Sequence, residues 1–197
     1  MLKSMINPDL SGKKRNLVLG LMLIMLLAFS TNLMADETEP TGDPREVSTL
    51  DHLLWISTNS SSWSDDFIQT ANIDASATSG WDDGAGFSPI GNSTTNFTGN
   101  YNGLNNTING LTCNHVEINQ GMFGLTDGAT LQNIALTNVN ITGGDYTGGL
   151  VGSAVNNNIS NCSSTGTVTG TSSDKAGGLI RLLTRFDYNK QQQLLYG

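Results

Sequence analysis

The chain is poor in charged and aromatic residues, and between Asp36 and Asp174 nearly all of the charge that it carries is negative. Charged residues make up 13% of its 197 residues and aromatic residues 7%. From Asp36 to Asp174, fifteen acidic residues stand against a single base, Arg45. Because binding to phosphates requires a basic surface, we expect no nucleic-acid partner.

The chain also lacks recognisable catalytic and metal-binding patterns. Its two histidines, His52 and His115, do not occur in a metal spacing such as HExxH, and no Ser/His/Asp arrangement can be read from the sequence. We interpret both as ordinary surface or half-buried side chains. We therefore predict no catalytic residue, no cofactor and no metal site, and a protein that is not an enzyme.

One long apolar run occurs in the chain, close to its start. Leu17–Phe29 follows the basic residues 13–15 and is shorter than the ~20 residues that a membrane span needs. Small residues suited to cleavage occur at Ala28-Phe29-Ser30 and at Leu33-Met34-Ala35. These features are typical of a secretory signal peptide, which we assign to residues 1–35. We predict an exported mature chain, extracellular or on the cell surface, without a transmembrane span.

The chain is rich in four small or polar residue types: glycine, asparagine, threonine and serine. Its 23 glycines include those that mark a repeat. Gly121–Gly124 (Gly-Met-Phe-Gly) returns as Gly149–Gly152 (Gly-Leu-Val-Gly) and begins again at Gly177–Ile180, with a period of about 28 residues. Such residues suit short strands and tight turns and disfavour helices. Self-similarity at a fixed period predicts a solenoid, in which each repeat buries its apolar face against its neighbours.

Further segments repeat with the same period, and their pattern predicts strands. Thr130–Asn133 aligns with Asn158–Asn161, and Val139–Gly143 aligns with Gly166–Gly170. Alternation within Val139–Gly143 places its apolar residues inside and its asparagine in solvent. We predict an all-β fold: a parallel β-helix, or β-solenoid, of about three rungs with a short N-terminal capping helix. A stack of β-hairpins with the same period is the alternative.

The residues that precede the repeats predict a separate N-terminal cap. Residues 36–46 are acidic and contain two prolines, which predicts a flexible leader. Residues 47–96 form the cap and the first strands. A helix is predicted over Ser48–Ser57, where Ser48 and Asp51 resemble a capping box. Further strands are predicted by apolar segments: Phe67–Ala75, Phe97–Tyr101 and Thr107–Thr112.

The repeats occupy residues 97–180, and the composition then changes abruptly. Arg181 occupies the position at which the next motif glycine is expected. Residues 181–197 no longer have the composition rich in asparagine and threonine that the repeats have. One interpretation is an amphipathic helix that covers the last rung, since four apolar residues have helical spacing: Leu179, Leu182, Leu183 and Phe186. The alternative is that a frameshift or gene-boundary error cuts a longer array short after Ile180.

The repeat segments resemble a known family. Gly149–Gly152, its variant Gly121–Gly124 and the segment Asn161–Val168 resemble the GLUG-motif repeat family of bacterial surface and secreted proteins, named for Gly-Leu-any-Gly. Upstream segments are also similar to those that precede such repeats: 67–74, 86–91, 97–103 and 107–111.

The resemblance implies a non-catalytic exported arm, and no catalytic residue can be carried over from the family. It also leads us to expect that the chain is an N-terminal fragment of a longer member. We expect part of a bacterial cell-surface adhesin or stalk, with a host or cell-surface protein or a glycan as partner. Two alternatives are the non-catalytic arm of a secreted protease or hydrolase, and a carbohydrate-binding module.

Acidic residues are the remaining candidates for chemistry. Asp82-Asp83-Gly84, Asp127-Gly128 and Asp145 carry oxygens of the kind that calcium prefers, but none lies in a known calcium loop, and Asp-Gly is a common turn dipeptide. Paired carboxylates on one face would suggest a polysaccharide lyase or hydrolase. Asp65-Asp66 is adjacent in sequence, so along a strand the two carboxylates would point to opposite faces.

Three tryptophans, Trp55, Trp63 and Trp81, lie before the repeats. They either pack the N-terminal cap or stack on sugars. Asn-x-Ser/Thr sequences arise by chance in such a composition and are assigned no function: Asn59, Asn92, Asn96, Asn105, Asn140, Asn158 and Asn161.

The two cysteines have a structural interpretation and an alternative. Cys162 aligns with Ile134 one repeat earlier, so it most simply replaces an apolar core residue. Export would permit a disulfide between Cys113 and Cys162, which is the alternative.

Overall fold

The computed structural model describes residues 37–171 and 176–184, with the side chains of 181–184 left out. The predicted signal peptide, residues 1–35, lies outside the described residues, as does the tail after Thr184. The described residues form short strands for the most part, with one α-helix, α1 (Leu50–Thr58), and short 3-10 turns. The all-β prediction is confirmed. No helix within 37–171 or 176–184 is long and apolar enough to cross a membrane.

The strands are short and are numbered in chain order. The first six precede the glycine-marked repeats: β1 Arg45–Val47, β2 Asp66–Gln69, β3 Ile73–Asp74, β4 Asn100–Asn102, β5 Thr107–Asn109 and β6 Thr112–Asn114. The others belong to the repeats: β7 Phe123–Asp127, β8 Thr130–Gln132, β9 Ala135–Gly143, β10 Thr147–Gly148, β11 Val151–Val155, β12 Asn158–Ser160, β13 Ser163–Gly170, β14 Ala176–Gly177 and β15 Ile180–Thr184.

All pairs of named strands are parallel. Sheet A has the order β1-β2-β4-β8-β12, sheet B the order β3-β5-β9-β13 with β6 also paired to β9, and sheet C the order β7-β11-β15. Strands β10 and β14 form a further parallel pair. Because hairpins would pair strands antiparallel, the alternative of stacked hairpins is wrong.

The registers follow the repeat that the sequence predicts. Phe123 lies opposite Val151 in sheet C, and Leu131 lies opposite Ile159 in sheet A, in both cases 28 residues apart. The interior and exterior positions alternate as expected: Val139 is buried, and Asn140 is exposed. Residues that lie opposite each other in neighbouring strands are therefore separated along the chain by the period read from the sequence.

Aromatic side chains fill the interior beside the first repeat. Phe67, Phe97, Tyr101 and Phe123 are all buried. Their ring centroids lie between 5.0 Å (Phe97 to Phe123) and 6.4 Å (Phe67 to Tyr101) apart. These contacts join strands β2, β4 and β7 into one core, where pairs of this kind add to the free energy gained from burial.

Asparagines occupy the corners between strands and bond to one another from repeat to repeat. Asn133 (φ 55°) and Asn161 (φ 53°) have left-handed backbone geometry, which asparagine tolerates better than most residues. The Asn133 Nδ2 donates to Asn102 Oδ1 at 3.0 Å, and the Asn161 Nδ2 donates to Asn133 Oδ1 at 3.2 Å. We call Asn102, Asn133 and Asn161 the asparagine ladder.

The predicted helix exists, but it begins two residues later than predicted. Thr49 is the N-cap, because its hydroxyl accepts a hydrogen bond from the His52 backbone N–H at 3.2 Å. The Ser48 backbone N–H donates to His52 Nδ1 at 3.1 Å. The capping box of Ser48 and Asp51 is therefore wrong: Thr49 and His52 satisfy the free N–H groups instead.

The helix covers the start of the core. Leu53 and Ile56 on α1 are fully buried, and Trp63 is 3% exposed. The Trp63 Nε1 donates to the Ile56 backbone oxygen at 2.6 Å, which ties the following turn to the helix.

The predicted leader, residues 36–46, needs a correction at its C-terminal end. Arg45 and Glu46 belong to β1, which pairs with β2 in sheet A. The Glu46 backbone N–H donates to the Thr41 oxygen at 2.7 Å. Two predicted strands are also divided by corners: Phe67–Ala75 into β2 and β3, and Thr107–Thr112 into β5 and β6.

The residues after the last glycine motif continue as a strand. In β15, Ile180 lies opposite Val151 and Leu183 opposite Ala154 of β11. The helix predicted from Leu179, Leu182 and Leu183 is therefore wrong over these residues, because backbone pairing with β11 prevails over their helical spacing. Phe186, the fourth residue of that pattern, lies outside the described residues.

Candidate functional site

The isolated base of the acidic region is tied into the N-terminal part of the structure. The Arg45 Nε donates to Asp65 Oδ2 at 2.8 Å, and its Nη1 donates to Glu39 Oε1 at 2.8 Å. Hydrogen bonds to Asp65 and Glu39 raise the pKa of Arg45 above its ordinary value. The guanidinium carbon also lies 5.3 Å from the ring centroid of Trp55. Arg45 thus joins β1, the leader and α1.

The adjacent acids Asp65 and Asp66 have separate partners. Asp65 binds Arg45 just before β2, whereas Asp66 begins β2, and its Oδ1 accepts a hydrogen bond from Asn100 Nδ2 at 2.6 Å. An open groove lies beside them, lined by Gly42, Asp43, Arg45, Ser64, Asp65 and Asp66. The structure therefore engages these two carboxylates in different strand-to-strand contacts.

The other acids that the sequence singles out lie at turns. Asp82 and Asp83 are exposed and have positive φ angles of 46° and 52° within a short 3-10 turn. Asp127 ends β7, and its Oδ1 accepts a hydrogen bond from Asn156 Nδ2 at 3.3 Å. Asp145 lies in the bend between β9 and β10. Over residues 37–171 and 176–180, no group of three or more His, Cys, Asp and Glu side chains is placed to hold a metal ion.

Each histidine makes a local contact with the backbone. His52 accepts from the Ser48 N–H at the start of α1. His115 Nε2 lies 3.2 Å from the backbone oxygen of Phe87, and its Nδ1 lies 4.0 Å from Glu117. The two histidines lie in different parts of the described chain and position backbone segments there.

An exposed apolar loop follows His115, and sequence reasoning did not find it. Val116 is 81% exposed and Ile118 is 52% exposed. The loop borders an open groove, lined by Ser88, Pro89, Gly91, Asn92, Ser93, His115, Glu117, Ile118, Asn119 and Gln120. The signal available in the sequence is the short segment Val116-Glu117-Ile118, which lies between predicted strands.

The tryptophans differ in exposure. Trp63 is buried beneath α1, and Trp55 is half-buried with the Arg45 guanidinium over its ring. Trp81 is half-buried and packs against the core. Packing in the cap, one of the two interpretations of these residues, therefore accounts for Trp63 and for the ring face of Trp55.

The two cysteines are free thiols. Cys113 is buried opposite Ile141. Cys162 is half-buried and precedes Ser163, which lies opposite Ala135, so Cys162 corresponds to Ile134 of the previous repeat. Burial raises the pKa of Cys113 to about 12 and that of Cys162 to about 11. The disulfide alternative is wrong, and Cys162 takes the place of an apolar residue.

The outer surface of sheet B is regular and uncharged across β6, β9 and β13. Two outward rows run across β6, β9 and β13, and their members are exposed or half-buried: Thr112, Asn140 and Thr167 in one row, and Asn114, Thr142 and Thr169 in the other. We call these six residues the threonine–asparagine face. It presents hydroxyl and amide groups in register, which suits hydrogen bonding to a broad polar partner.

Comparisons with known proteins agree with the repeat pattern. Residues 143–169 match the family described as the GLUG motif. Over 144 residues, which are 70% of the chain, the sequence is 40% identical to halomucin of Haloquadratum walsbyi. The chain spans 2% of the length of that relative. No solved structure matches the chain. The match at residues 143–169 therefore confirms the resemblance to GLUG-motif repeats that the sequence predicted.

Proposed function

We propose that the chain is a non-catalytic, exported repeat segment of a bacterial cell-surface adhesin or stalk. The observation that carries this proposal is the in-register stacking of uncharged polar residues on the outside of sheets whose strands recur every 28 residues. The area of such a surface grows with the number of repeats, and it binds a partner through one broad side of the stacked repeats.

The finer architecture in this proposal is a parallel β-helix of about three rungs over residues 97–180, capped by α1. The chain visits the sheets in the same order in successive repeats. It runs through β7 in sheet C, β8 in sheet A and β9 in sheet B, and then through β11, β12 and β13 in the same three sheets. A chain that winds in this way places like residues over like, which supports the β-helix.

The absence of catalysis belongs to the same proposal. Arg45, the base of the acidic region, is engaged by Asp65 and Glu39, and Asp66 is engaged by Asn100. Catalytic acids and bases need to reach a substrate with suitably tuned pKa values. Asp65 and Asp66, which the sequence offered as adjacent carboxylates, instead hold neighbouring segments together, which supports a structural role.

An extracellular or cell-surface location rests on two supports. One is the order of basic, apolar and small residues within 1–35, which is typical of a secretory signal peptide. The other is the 40% identity to halomucin over 144 residues. The threonine–asparagine face adds a surface that is polar without charge, and a protein or glycan of the cell surface is the partner that we propose for it.

Export is tested with the full chain carrying an epitope in the exposed turn after Ser93, expressed in a bacterial host. We expect the epitope in the medium or on intact cells, where added protease removes it. A matched variant that lacks residues 2–35 is expected to stay inside the cells. Equal retention of both chains in the cytoplasm would contradict the proposal.

Adhesion is tested with beads that carry the full chain. Asn140→Lys with Thr167→Lys places two charges on the threonine–asparagine face and is expected to weaken binding to cells or immobilised glycans. Asn158→Lys, at an exposed position of β12 in sheet A, is the control. Unchanged binding of the double variant, with unfolding curves like that of the wild type, would contradict adhesion through this face.

A further inference from the structure

The groove beside the exposed loop after His115 combines polar and apolar groups in a small volume. It lies between residues 88–93 and residues 115–120 and has a volume of about 390 Å³. Sites for small molecules are commonly ~300–1,000 Å³ in volume and carry a few fixed polar groups among apolar ones. We call this cleft the loop groove.

Backbone hydrogen bonds fix both walls of the loop groove. In the first wall, the Ile90 N–H donates to the Met122 oxygen at 3.0 Å, and Ile90 lies opposite Phe123 of β7. In the second wall, the Asn119 N–H donates to the oxygen of Asp145 at 2.9 Å. Because the repeats hold both walls in place, the groove is formed without a ligand, which reduces the entropic cost of binding.

Asn119 supplies the loop groove with an amide that the fold does not use. Asn119 is only 7% exposed and lines the groove. The amide of its neighbour Gln120 donates to the Ile118 oxygen at 3.0 Å and accepts from Cys113 Sγ at 3.3 Å. Within the described part of the chain, no such bond engages the Asn119 amide.

The Asn119 amide is nevertheless not sealed in the interior. The fully enclosed polar side-chain atom without a partner, among the described residues, is Ser164 Oγ. The Asn119 amide therefore reaches solvent through the groove that Asn119 lines. A buried amide of this kind is costly to leave without hydrogen bonds, and it can both donate to and accept from a ligand.

Two hydrogen-bond acceptors face each other in the same groove. His115 Nε2 lies 3.2 Å from the backbone oxygen of Phe87. Because a carbonyl oxygen only accepts, Nε2 carries the proton of the neutral ring and Nδ1 is an acceptor. Glu117 Oε2, a second acceptor, lies 4.0 Å from that Nδ1. A ligand with two neighbouring hydroxyl groups can donate to both atoms.

The first wall adds a donor and an apolar contact. The Asn92 Oδ1 accepts from the backbone N–H groups of Thr94 at 2.9 Å and of Thr95 at 3.0 Å, which fixes the side chain and directs its Nδ2 to other partners. Pro89 and the half-exposed Ile118 offer carbon surface. A sugar ring matches this mixture, because it has hydroxyl groups at its edge and C–H groups on its faces.

Charge narrows the class of sugar. Glu117 is the acidic residue of the loop groove, and no lysine or arginine of the described chain lines it. Arg45, the base of the acidic region, is engaged by Asp65 and Glu39. The carboxylate of a uronic acid would therefore be repelled by Glu117 without a compensating base. The loop groove favours a sugar without a negative charge.

We propose that the loop groove binds one neutral hexose unit of a glycan. Two neighbouring hydroxyl groups of the sugar donate to His115 Nδ1 and to Glu117, a third group pairs with the Asn119 amide, and the ring packs on Ile118. The loop groove shares no residue with the threonine–asparagine face. The inference therefore depends neither on adhesion through that face nor on export.

The test is an NMR titration of the full chain with four disaccharides. Three are neutral (maltose, lactose and mannobiose), and digalacturonic acid is the charged counterpart. We expect at least one neutral disaccharide to bind and to shift the side-chain amide signals of Asn119. Digalacturonic acid should bind more weakly than that disaccharide, by about fivefold, because of the charge on Glu117.

Two variants and a matched control locate the site. Asn119→Gly removes the amide and keeps the backbone angle, since Asn119 has a φ of 61° that glycine adopts without strain. Its Kd should rise about fivefold or more. Glu117→Ala changes an exposed side chain, so it provides the same test if Asn119→Gly does not fold. Asn105→Gly, exposed and also at φ 61°, lies outside the groove and should bind like the wild type.

Four results would overturn the inference: no neutral disaccharide binds, digalacturonic acid binds as tightly, Glu117→Ala binds like the wild type, or Asn105→Gly weakens binding as much as Asn119→Gly does. The double variant Asn140→Lys with Thr167→Lys should bind the disaccharide like the wild type. Loss of disaccharide binding in that variant would place the sugar on the threonine–asparagine face and would also overturn the inference. Failure of the loop groove is thus distinguishable from failure of adhesion through that face.

Discussion

The signature glycines are required by close contacts between segments of backbone. In Gly-Leu-Val-Gly, a Cβ on Gly152 would lie 2.6 Å from the backbone oxygen of Tyr146 and 2.8 Å from the Cα of Asn119. A Cβ on Gly124, one repeat earlier, would meet the backbone oxygens of Gly91 and Asn119. The backbone atoms around these positions cannot withdraw easily, so the motif excludes side chains there.

Replacement of a signature glycine should therefore destabilise the fold. Gly152→Ala is expected to lower the free energy of unfolding by about 1–3 kcal/mol, as overpacking of a close-packed site does. Gly80→Ala is the control, since a Cβ at Gly80 has no heavy atom within 4 Å. Urea denaturation measures both changes. An effect of equal size at the two positions would show that close packing is not the reason for the motif.

The buried thiol of Cys113 and the half-buried thiol of Cys162 should react slowly in the folded chain and should make stability depend on pH. Their raised pKa values, about 12 for Cys113 and about 11 for Cys162, mean that the folded chain holds these protons more tightly. As pH rises above the unfolded thiol pKa of about 8.5, the unfolded state loses protons first, so the free energy of unfolding falls.

Ellman's reagent at pH 8 tests the thiol prediction. We expect two thiols to react rapidly in denaturant and slowly without it. Urea midpoints between pH 8 and pH 10 should decline, and Cys113→Val with Cys162→Val should reduce that decline. Rapid reaction of the folded chain, or a disulfide found by mass spectrometry, would contradict the description of both residues as shielded free thiols.

At the scale of elements, the corners hold the strands in register. Asn133 connects β8 to β9, has a φ of 55°, and bonds to both Asn102 and Asn161. Its replacement can act through the backbone angle or through the side-chain bonds. Glycine adopts a positive φ without strain but cannot form the side-chain hydrogen bonds. Alanine is strained at positive φ and cannot form these hydrogen bonds either.

The corner prediction follows from that difference. Asn133→Gly should lower the free energy of unfolding by about 1–2 kcal/mol through loss of the ladder bonds. Asn133→Ala should lower it further, by about another 1 kcal/mol, because alanine is strained at positive φ. Thermal and urea unfolding of the two variants provide the comparison. Equal stability of Asn133→Gly and the wild type would show that the ladder bonds contribute nothing.

The elements were predictable from the sequence where the repeat is regular. Val139 and Ile141 alternate with polar residues over a long strand, and the same pattern recurs one period later, so β9 and β13 could be recognised. The corner inside Phe67–Ala75 could not, because no glycine or proline marks it. The helix start was missed because Ser48 and Thr49 are both good N-caps, and the choice depends on where the His52 side chain lies.

The asparagine ladder could have been inferred from the sequence, but it was not. Asn133 and Asn161 align across the repeats, and like residues stack in a parallel sheet, so their contact follows once parallel pairing is known. The contact of Arg45 with Trp55 was out of reach, because it joins β1 to α1 in a way that no periodicity specifies. The exposed loop at Val116 and Ile118 was likewise hidden among short segments.

At the scale of the whole molecule, the proposed function follows from repetition. The adjacent carboxylates Asp65 and Asp66 are engaged in contacts between segments, while the outer rows across β6, β9 and β13 form a uniform polar face. Parallel stacking at the period of the repeat is the property on which the proposed β-helix and the threonine–asparagine face both depend.

The most direct test of that stacking is cross-linking between β9 and β13. Asn140 and Thr167 lie opposite each other and are both exposed. In a chain with Cys113→Val and Cys162→Val, mild oxidation should join Asn140→Cys to Thr167→Cys, because neighbouring strands lie about 4.8 Å apart, within disulfide range. Asn140→Cys with Thr169→Cys, displaced by two residues, should remain reduced. Bond formation by the displaced pair and not by the opposed pair would contradict the parallel register.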